Sequence, residues 1–439
     1  MADVLALLTP SPSPRAQAAN GEQGQGAQIV ATKGKPLGVA TARFRALDSW
    51  RGVAATLVVL YHCVFLGALN DNAFVRSGYL FVDFFFVLSG FVIAQAYGDK
   101  LGDPSAALGF VIRRFGRLWP LHIVMLCAFA AAEAVNMALH AQGSDAEAFR
   151  LSVNDNTLYS FATNIVMLNA FDLHRSITWN GASWSIGAEF YTYLVFAGLM
   201  MFARGAALRI AALLAFGGAL VVVAFSTHRP LMDATYDLGA ARCLYGFFVG
   251  VIVQSAFSRE RFGALRQATA LEFCVLAAAV AFIALAGQGS LGVAAPLAFA
   301  PLVFVFAHES GAISRLLRAR PLAALGAWSY SIYMTQALIG NAYDRAILLF
   351  DHHTGLWGLE WRDIGRSGYW SAQRNGWTMD GLNLALIVII VVVSAFSFRW
   401  IEEPTRKAFN RLADAAQARL ARATSLRRLA GKAPGAADG

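Results

Sequence analysis

Ten apolar runs, each close to twenty residues, dominate this chain, near 51–69, 78–97, 118–138, 184–203, 206–226, 238–257, 270–287, 291–308, 322–342 and 382–400. At 1.5 Å of rise per residue, about twenty residues cross the ~30 Å hydrocarbon core of a bilayer. Inside that core every backbone N–H and C=O has to be satisfied by protein, which admits helices and closed barrels only, and unbroken apolar runs of this length select helices. The expected fold is an all-α polytopic membrane protein with about ten transmembrane helices. Charged residues make up 14% of the chain, against about a quarter in soluble domains.

An even number of spans puts both termini on one side. Most of the 36 Lys and Arg fall in the segments on that side, so both termini are expected in the cytoplasm. Basic cytoplasmic loops account for the net charge of +9, and no nucleic-acid partner is expected. MADVLALLTP is too short an apolar run for a secretory signal. Residues 1–42, rich in Ala, Gly, Gln, Ser and Pro, read as a disordered cytoplasmic tail. Residues 43–406 form the transmembrane domain. Residues 407–439 read as a basic amphipathic cytoplasmic tail lying on the anionic inner leaflet. LYSFATNIVMLNAF, 158–171, is too short to span and reads as re-entrant or interfacial. The outer loop 343–381 carries Trp357, Trp361, Tyr369, Trp370 and Trp377, either an interfacial aromatic belt or the lining of a sugar-binding surface. Cys63, Cys127, Cys243 and Cys274 have no metal-like spacing; they read as small buried hydrophobes, with no disulfide and no metal.

Polar groups inside the apolar runs are costly and mark candidate functional positions. In LDSWRGVAATLVVLYH, Arg51 and His62 are eleven residues apart. That spacing separates them by about 16 Å along a helix and returns them to one face. Arg51 then sits at the cytoplasmic interface, where snorkelling to headgroups is its ordinary explanation. His62 sits near mid-membrane, either in an interhelical hydrogen bond or as a general base. In WSIGAEFYTYL, Trp184 marks the outer interface and Glu189 lies about 8 Å inward, near the expected depth of His62. A carboxylate that orients a histidine is a familiar catalytic arrangement; the alternative is a pair between Glu189 and Arg242. Asp83 in YLFVDFFFVLSGFVI reads as a structural partner for one of these groups. Arg113, Arg114 and Arg117 in RRFGRLWP cluster at i, i+3 and i+4 spacing. They serve either topology and lipid phosphates or, with Arg51, a ligand bearing several phosphates, which arginine grips bidentately.

At these residues the chain resembles the acyltransferase 3 family of membrane O-acyltransferases. The arginine–histidine helix, FVDFFFVLSGFVI, RRFGRLWP, WSIGAEFYTYL, LGAWSYSIYMTQ (325–336) and IEEPTRK (401–407) stand in the family's order, from about Leu47 to about Arg406. The resemblance implies about ten spans and transfer of acyl groups, often acetyl from acetyl-CoA, to sugar hydroxyls. Acceptors in the family include surface polysaccharides, lipopolysaccharide, peptidoglycan, nodulation oligosaccharides and macrolides. It also implies a multi-pass protein of the bacterial inner (plasma) membrane. Ser329, Tyr330 and Gln336 join Asp83, Trp184 and Arg242 as an expected supporting polar network. Gln336 stands where many members carry histidine, which removes acid–base chemistry from that position but leaves hydrogen bonding. Some members continue into an extracytoplasmic hydrolase-like domain; this chain ends soon after IEEPTRK and is expected to act alone or with a separate extracytoplasmic partner.

The sequence thus points to O-acylation of a carbohydrate or lipid-linked sugar by acyl-CoA. Arg51, Arg113, Arg114 and Arg117 are expected to hold the donor, His62 to take the acceptor's proton or the acyl group, and Glu189 to orient His62. The rival is a secondary transporter or flippase with His62, Glu189 and Arg242 as its polar path; the absence of an inverted repeat in the sequence weighs against it.

Overall fold

The computed structural model of the chain describes residues 44–141, 156–228, 230–259, 267–364, 367–372 and 376–430. The expected tail 1–42 lies outside these residues, as does the end of the 407–439 segment beyond 430. The first helix, α1, is Arg45–His62, succeeded by α2 Phe81–Tyr97, α3 Pro104–Ala141, α4 Leu158–Ile165, α5 Ser183–Phe202, α6 Ala207–Phe225 and α7 Gly239–Arg259. The second half comprises α8 Ala268–Ala286, α9 Ala295–Ala307, α10 Arg320–Thr354, β1 Leu359–Ile364, β2 Ser367–Ala372, α11 Gly376–Ser397 and α12 Glu403–Ala430. Each of the ten apolar runs forms a helix. Among the described residues, eight helices are long and apolar enough to cross a membrane. α1 and α10 fall outside that set: α1 carries Arg45, Asp48 and Arg51, and the uncharged stretch of α10 is made less apolar by Ser329, Tyr330, Ser331, Tyr333, Thr335 and Gln336.

α1 starts earlier and stops sooner than its apolar run suggests, ending at His62. The chain beyond it is drawn out of the helix by other partners. The Leu66 N–H donates to Trp370 O (2.7 Å) and the Trp370 N–H to Val64 O (2.8 Å). The Asn70 amide donates to the carbonyls of Cys63 and Phe65, and Asn383 to Phe65. These bonds replace the helical ones that residues 63–67 would otherwise make. β1 and β2 form an antiparallel hairpin, so the region 343–381 is largely ordered rather than a loop. α10 runs on to Thr354 and stops at Gly355, which adopts the left-handed conformation (φ 60°). Just past it, the Asp351 carboxylate gathers the N–H groups of Trp357, Gly358 and Leu359 into a turn.

Close approach by small residues sets the packing, as is usual between helices in lipid. Gly90 on α2 faces the Phe247 carbonyl of α7, and Gly250 on α7 faces the Val87 carbonyl of α2. Gly52 of α1 and Gly326 of α10 lie against each other's backbones in the same way. Ala55 and Val59 of α1 and Cys63 just past its end join Ile332 of α10 and Leu386 and Ile390 of α11 in a buried apolar cluster. α4 is a short eight-residue helix, as the length of its apolar run implied. α12 packs along α3, with Phe409 against Gly116 and Asp414 paired to Arg113 (2.5 Å), rather than turning its whole basic face to lipid. Cys63 and Cys243 are buried, whereas Cys127 and Cys274 are exposed, contrary to the expectation for all four.

A side chain at Gly90 or Gly250 has to push α2 and α7 apart. Gly90→Val and Gly250→Val are each expected to lower stability by about 1–3 kcal/mol or more. Gly198→Ala, where an added Cβ meets nothing within 4 Å, should be neutral or stabilising. Thermal midpoints in detergent, read by size-exclusion of the remaining monodisperse protein, check both.

Candidate active site

A cavity of about 100 Å³ runs between α1, α2, α3, α5 and α10. On α2 its wall reaches from Val82 to Ile93, eleven residues or about 16 Å of helix. One end is basic, lined by Arg51, Arg114 and Arg117; further along come Glu189, Tyr193, Ser89, Ser185, Ser329, Tyr330 and Tyr333. Phe85 and Tyr333 meet edge-on (5.9 Å) on its walls.

The three arginines of RRFGRLWP do not share one role. Arg113 turns outward to Asp414 and Gln417 of α12 and is not part of the cavity wall. Helical spacing alone does not separate it from the others, because its partner comes from a segment three hundred residues away. Arg114 turns inward, its guanidinium over the rings of Tyr97, Phe110 and Tyr193 at 5.5–6.0 Å, and its buried Nε has no protein partner. Arg117 lies over the Tyr330 ring (5.4 Å) and pairs with the Glu402 carboxylate. Arg51, Arg114 and Arg406 all act electrostatically on Arg117. Among the described ion pairs, Glu402 is the carboxylate that meets this group of cations inside the protein.

Glu189 accepts a hydrogen bond from the Tyr193 hydroxyl (2.6 Å), which in turn shares a hydrogen bond with Ser89 Oγ (2.9 Å). Glu189 and Tyr193 are four residues apart on α5, which places them on one helical face. The alternative pair between Glu189 and Arg242 does not form among the described ion pairs. Arg242 donates twice to Asp83, from Nε (3.0 Å) and Nη2 (2.7 Å), with both side chains 1% or less exposed. Two further donors reach the carbonyls of Ala234 (3.1 Å) and Tyr79 (3.0 Å), and its plane lies over Trp184 and Tyr79. Asp83 is therefore the structural partner that its position suggested.

His62 stands apart from the cavity. It is exposed, with Nδ1 against Val58 O (2.8 Å) and its ring edge-on to Tyr61. Tyr61 packs near Tyr79 (6.1 Å), ten residues before Ser89 on the same helical run. His62 thus lies about 15 Å from the level of Glu189, and the two do not meet. The expectation of a common depth rested on α1 spanning 51–69; with α1 ending at His62, the histidine belongs to the far end of the bundle. The acid that acts on it electrostatically is Asp233 in the α6–α7 connection, a loop position without a periodic signal. The cavity wall at Val82 stops one helical turn short of Tyr79, so little more than a turn separates its end from the His62 level.

In LGAWSYSIYMTQ, Ser329, Tyr330, Tyr333 and Gln336 are all buried. The Tyr330 hydroxyl donates to Leu118 O, and the Ser185 hydroxyl donates to that of Tyr333 (2.9 Å). Ser329 Oγ and both polar atoms of the Gln336 amide have no hydrogen-bond partner among the described residues. Ser89, Ser185, Tyr193, Tyr333 and Glu402 escaped the sequence reading because serine and tyrosine are unremarkable in apolar helices, and Glu402 shows its direction only through its partners.

The comparisons with known proteins agree with the motifs. The family model described as an acyltransferase domain, acyltransferase 3, matches residues 44–401. The chain is 36% identical over 163 residues to protein 2 in the picA locus of Rhizobium radiobacter, an alignment covering 35% of this chain and 81% of that protein. It is 25% identical over 395 residues to the putative peptidoglycan O-acetyltransferase YrhL of Bacillus subtilis (strain 168), covering 82% of this chain and 54% of that protein. No solved structure matches the chain.

Removing one partner of a buried, fully bonded ion pair leaves an uncompensated charge, at a cost of about 3–5 kcal/mol. Arg242→Met and Asp83→Leu are each expected to lose folded protein on that scale, and the double variant should recover most of it. Yields and thermal midpoints of the three variants in detergent measure the coupling.

Proposed function

The chain belongs to the acyltransferase 3 family, and on that premise we propose that it is a membrane O-acyltransferase that moves an acyl group, acetyl foremost, from acyl-CoA to a hydroxyl of a carbohydrate or lipid-linked sugar. The observation that carries this reading is the basic end of the cavity. Arg51, Arg114 and Arg117 line one wall, and only Arg117 among them has a described carboxylate partner. Arginine stays charged, so partly buried guanidinium groups gathered on one wall repel one another unless anions compensate them, and guanidinium geometry suits phosphate oxygens. A CoA donor supplies such anions, and its long flexible arm suits a narrow cavity leading toward the opposite end.

In this reading the donor's phosphates enter from the cytoplasmic side and its thioester lies toward Val82 and Phe85. The acceptor arrives from the other side at His62. His62 takes the proton of the acceptor hydroxyl as its oxygen attacks the thioester carbon. The C–O bond forms, the C–S bond breaks, and the proton passes from the imidazolium to the leaving thiolate, giving CoA and the O-acyl sugar. Asp233 favours the transient imidazolium. Glu189, with Tyr193 and Ser89, shapes the middle of the passage instead of orienting His62. Arg113 supports from outside the cavity through α12. The name of the Bacillus subtilis relative supports an O-acetyl product, and the acceptor is proposed as a surface glycan of the bacterial envelope.

Purified protein in detergent is expected to release CoA thiol from acetyl-CoA when a sugar acceptor is present. A general base contributes about 10²–10⁴-fold, so His62→Ala should lose that factor in transfer and leave CoA binding intact. Arg114→Glu should raise the KM for acetyl-CoA roughly tenfold or more, the scale of a lost charge-assisted hydrogen bond. Full acyl content in the surface glycans of cells carrying only His62→Ala, measured by mass spectrometry, would remove His62 from the mechanism.

A further inference from the structure

The run from α11 into α12 is helical without a break, but its register slips once. Phe398–Glu402 is a π-turn, and the Glu403 N–H reaches back to Phe398 O, five residues earlier. Pro404 supplies the cause: it has no N–H, so the carbonyl it would have engaged is released and the ladder widens by one residue. One extra residue rotates the next stretch of helix by about 100°. The two consecutive acids are then sent in opposite directions. Glu403 pairs with Lys407 on the surface (2.8 Å). Glu402 turns inward, 2% exposed, onto Arg117.

Glu402 is itself held. The Ser331 hydroxyl of α10 donates to its Oε2 (2.9 Å). Arg117 is fixed on its flat face as well, over the ring of Tyr330, whose hydroxyl is tied to Leu118 O. One edge of the guanidinium is thus occupied by a carboxylate and one face by an aromatic ring, while Arg117 still lines the cavity beside Arg51 and Arg114. An arginine has five N–H donors in a rigid fork, so one carboxylate leaves others available. Without Glu402, the side chain would be repelled by Arg51, Arg114 and Arg406, and nothing charged would hold it in the wall.

We propose that Glu402 is a positioning residue for the donor: through the π-turn and Ser331 it anchors Arg117 so that the remaining edge of the guanidinium meets the donor's phosphate in the cavity. The proposal rests on the acyl-CoA reading above. Glu402 touches neither donor nor acceptor, so its loss affects binding of the donor and leaves the acyl-transfer step nearly unchanged. The same logic gives α12 a purpose at this end of the bundle. Its start carries the anchor, and its body, through Phe409 against Gly116 and Asp414 against Arg113, keeps that anchor in register with α3.

The test is titration of CoA into the purified wild type, Glu402→Gln, Glu402→Asp and Ser331→Ala in detergent, with steady-state kinetics on acetyl-CoA in parallel. Glu402→Gln preserves shape and removes the charge. It should weaken CoA binding and raise the KM about tenfold or more, as misplacement of a positioning group does, with kcat within about threefold of wild type. Glu402→Asp should recover part of the loss, and Ser331→Ala should show a smaller loss of the same kind. Equal CoA affinity in wild type and Glu402→Gln overturns the proposal, and tighter binding in Glu402→Gln would make Glu402 a competitor of the phosphate instead. A wild type that does not bind CoA defeats the donor reading itself, and this proposal with it. If Glu402→Gln does not fold, Ser331→Ala decides: an unchanged affinity there overturns the anchor.

Discussion

The buried pair of Arg242 and Asp83 organises the far half of the bundle. Two charges are removed from water at a cost that only near-ideal geometry offsets, and here four of the five guanidinium N–H donors are engaged: two bonds to one carboxylate and one to each of two backbone carbonyls. Those partners lie on α2, just ahead of α2, and in the loop before α7. The pair therefore fixes the α2–α7 register, where Gly90 and Gly250 permit backbone contact, and pins the loop that carries Asp233. With Arg242 so engaged, Glu189 is left to the Tyr193 hydroxyl, which Ser89 holds in turn, and the cavity keeps a carboxylate not neutralised by this arginine.

The two ends of the passage are then chemically unlike. The end at Arg51, Arg114 and Arg117 carries surplus positive charge balanced inside the protein by Glu402. Cation–aromatic contacts with Tyr97, Phe110, Tyr193 and Tyr330 support the side chains without cancelling their charge. Beyond the other end, outside the cavity wall, lie an exposed histidine, an aspartate that acts on it and a hairpin whose Trp361 and Trp370 rings pack against each other at 5.3 Å. Among the described residues, the cavity wall beyond the three arginines carries hydroxyls, aromatic rings and Glu189. A separation of this kind suits two reactants that approach from opposite sides of a membrane.

Much of the architecture was readable from hydropathy, because a chain that must satisfy its backbone in lipid has few options. Each apolar run became a helix, and Asp83, near its helix end, found a structural partner. The failures have a common physical origin. The end of α1 is decided by Trp370, the direction of Arg113 by Asp414, and that of Arg117 by Glu402, all distant in sequence and invisible to a periodicity that reads a few residues at a time. The eleven-residue spacing of Arg51 and His62 was read correctly as one helix, yet the depth assigned to His62 depended on where that helix stops. Ser89 and Tyr193 carry no sequence signal of their own, since hydroxyls in apolar helices are common and gain meaning only from neighbours.

The bracing of α1 bears on how such a protein comes into being. Its first turn is met by Glu309, which accepts from the Ala46 N–H (2.5 Å); its middle lies on Gly326 of α10, and the residues just after it bond to Trp370. Every one of these partners is made more than 250 residues later. Contacts of such sequence separation form late, after their loop-closure entropy has been met. During synthesis α1, with Arg45, Asp48 and Arg51 in an 18-residue helix, waits without its final neighbours, and the histidine at its end waits with it. Among the described helices the earliest to be made is therefore among the last to be fully braced, and Arg51 and His62 reach their final positions only once the whole chain is in place.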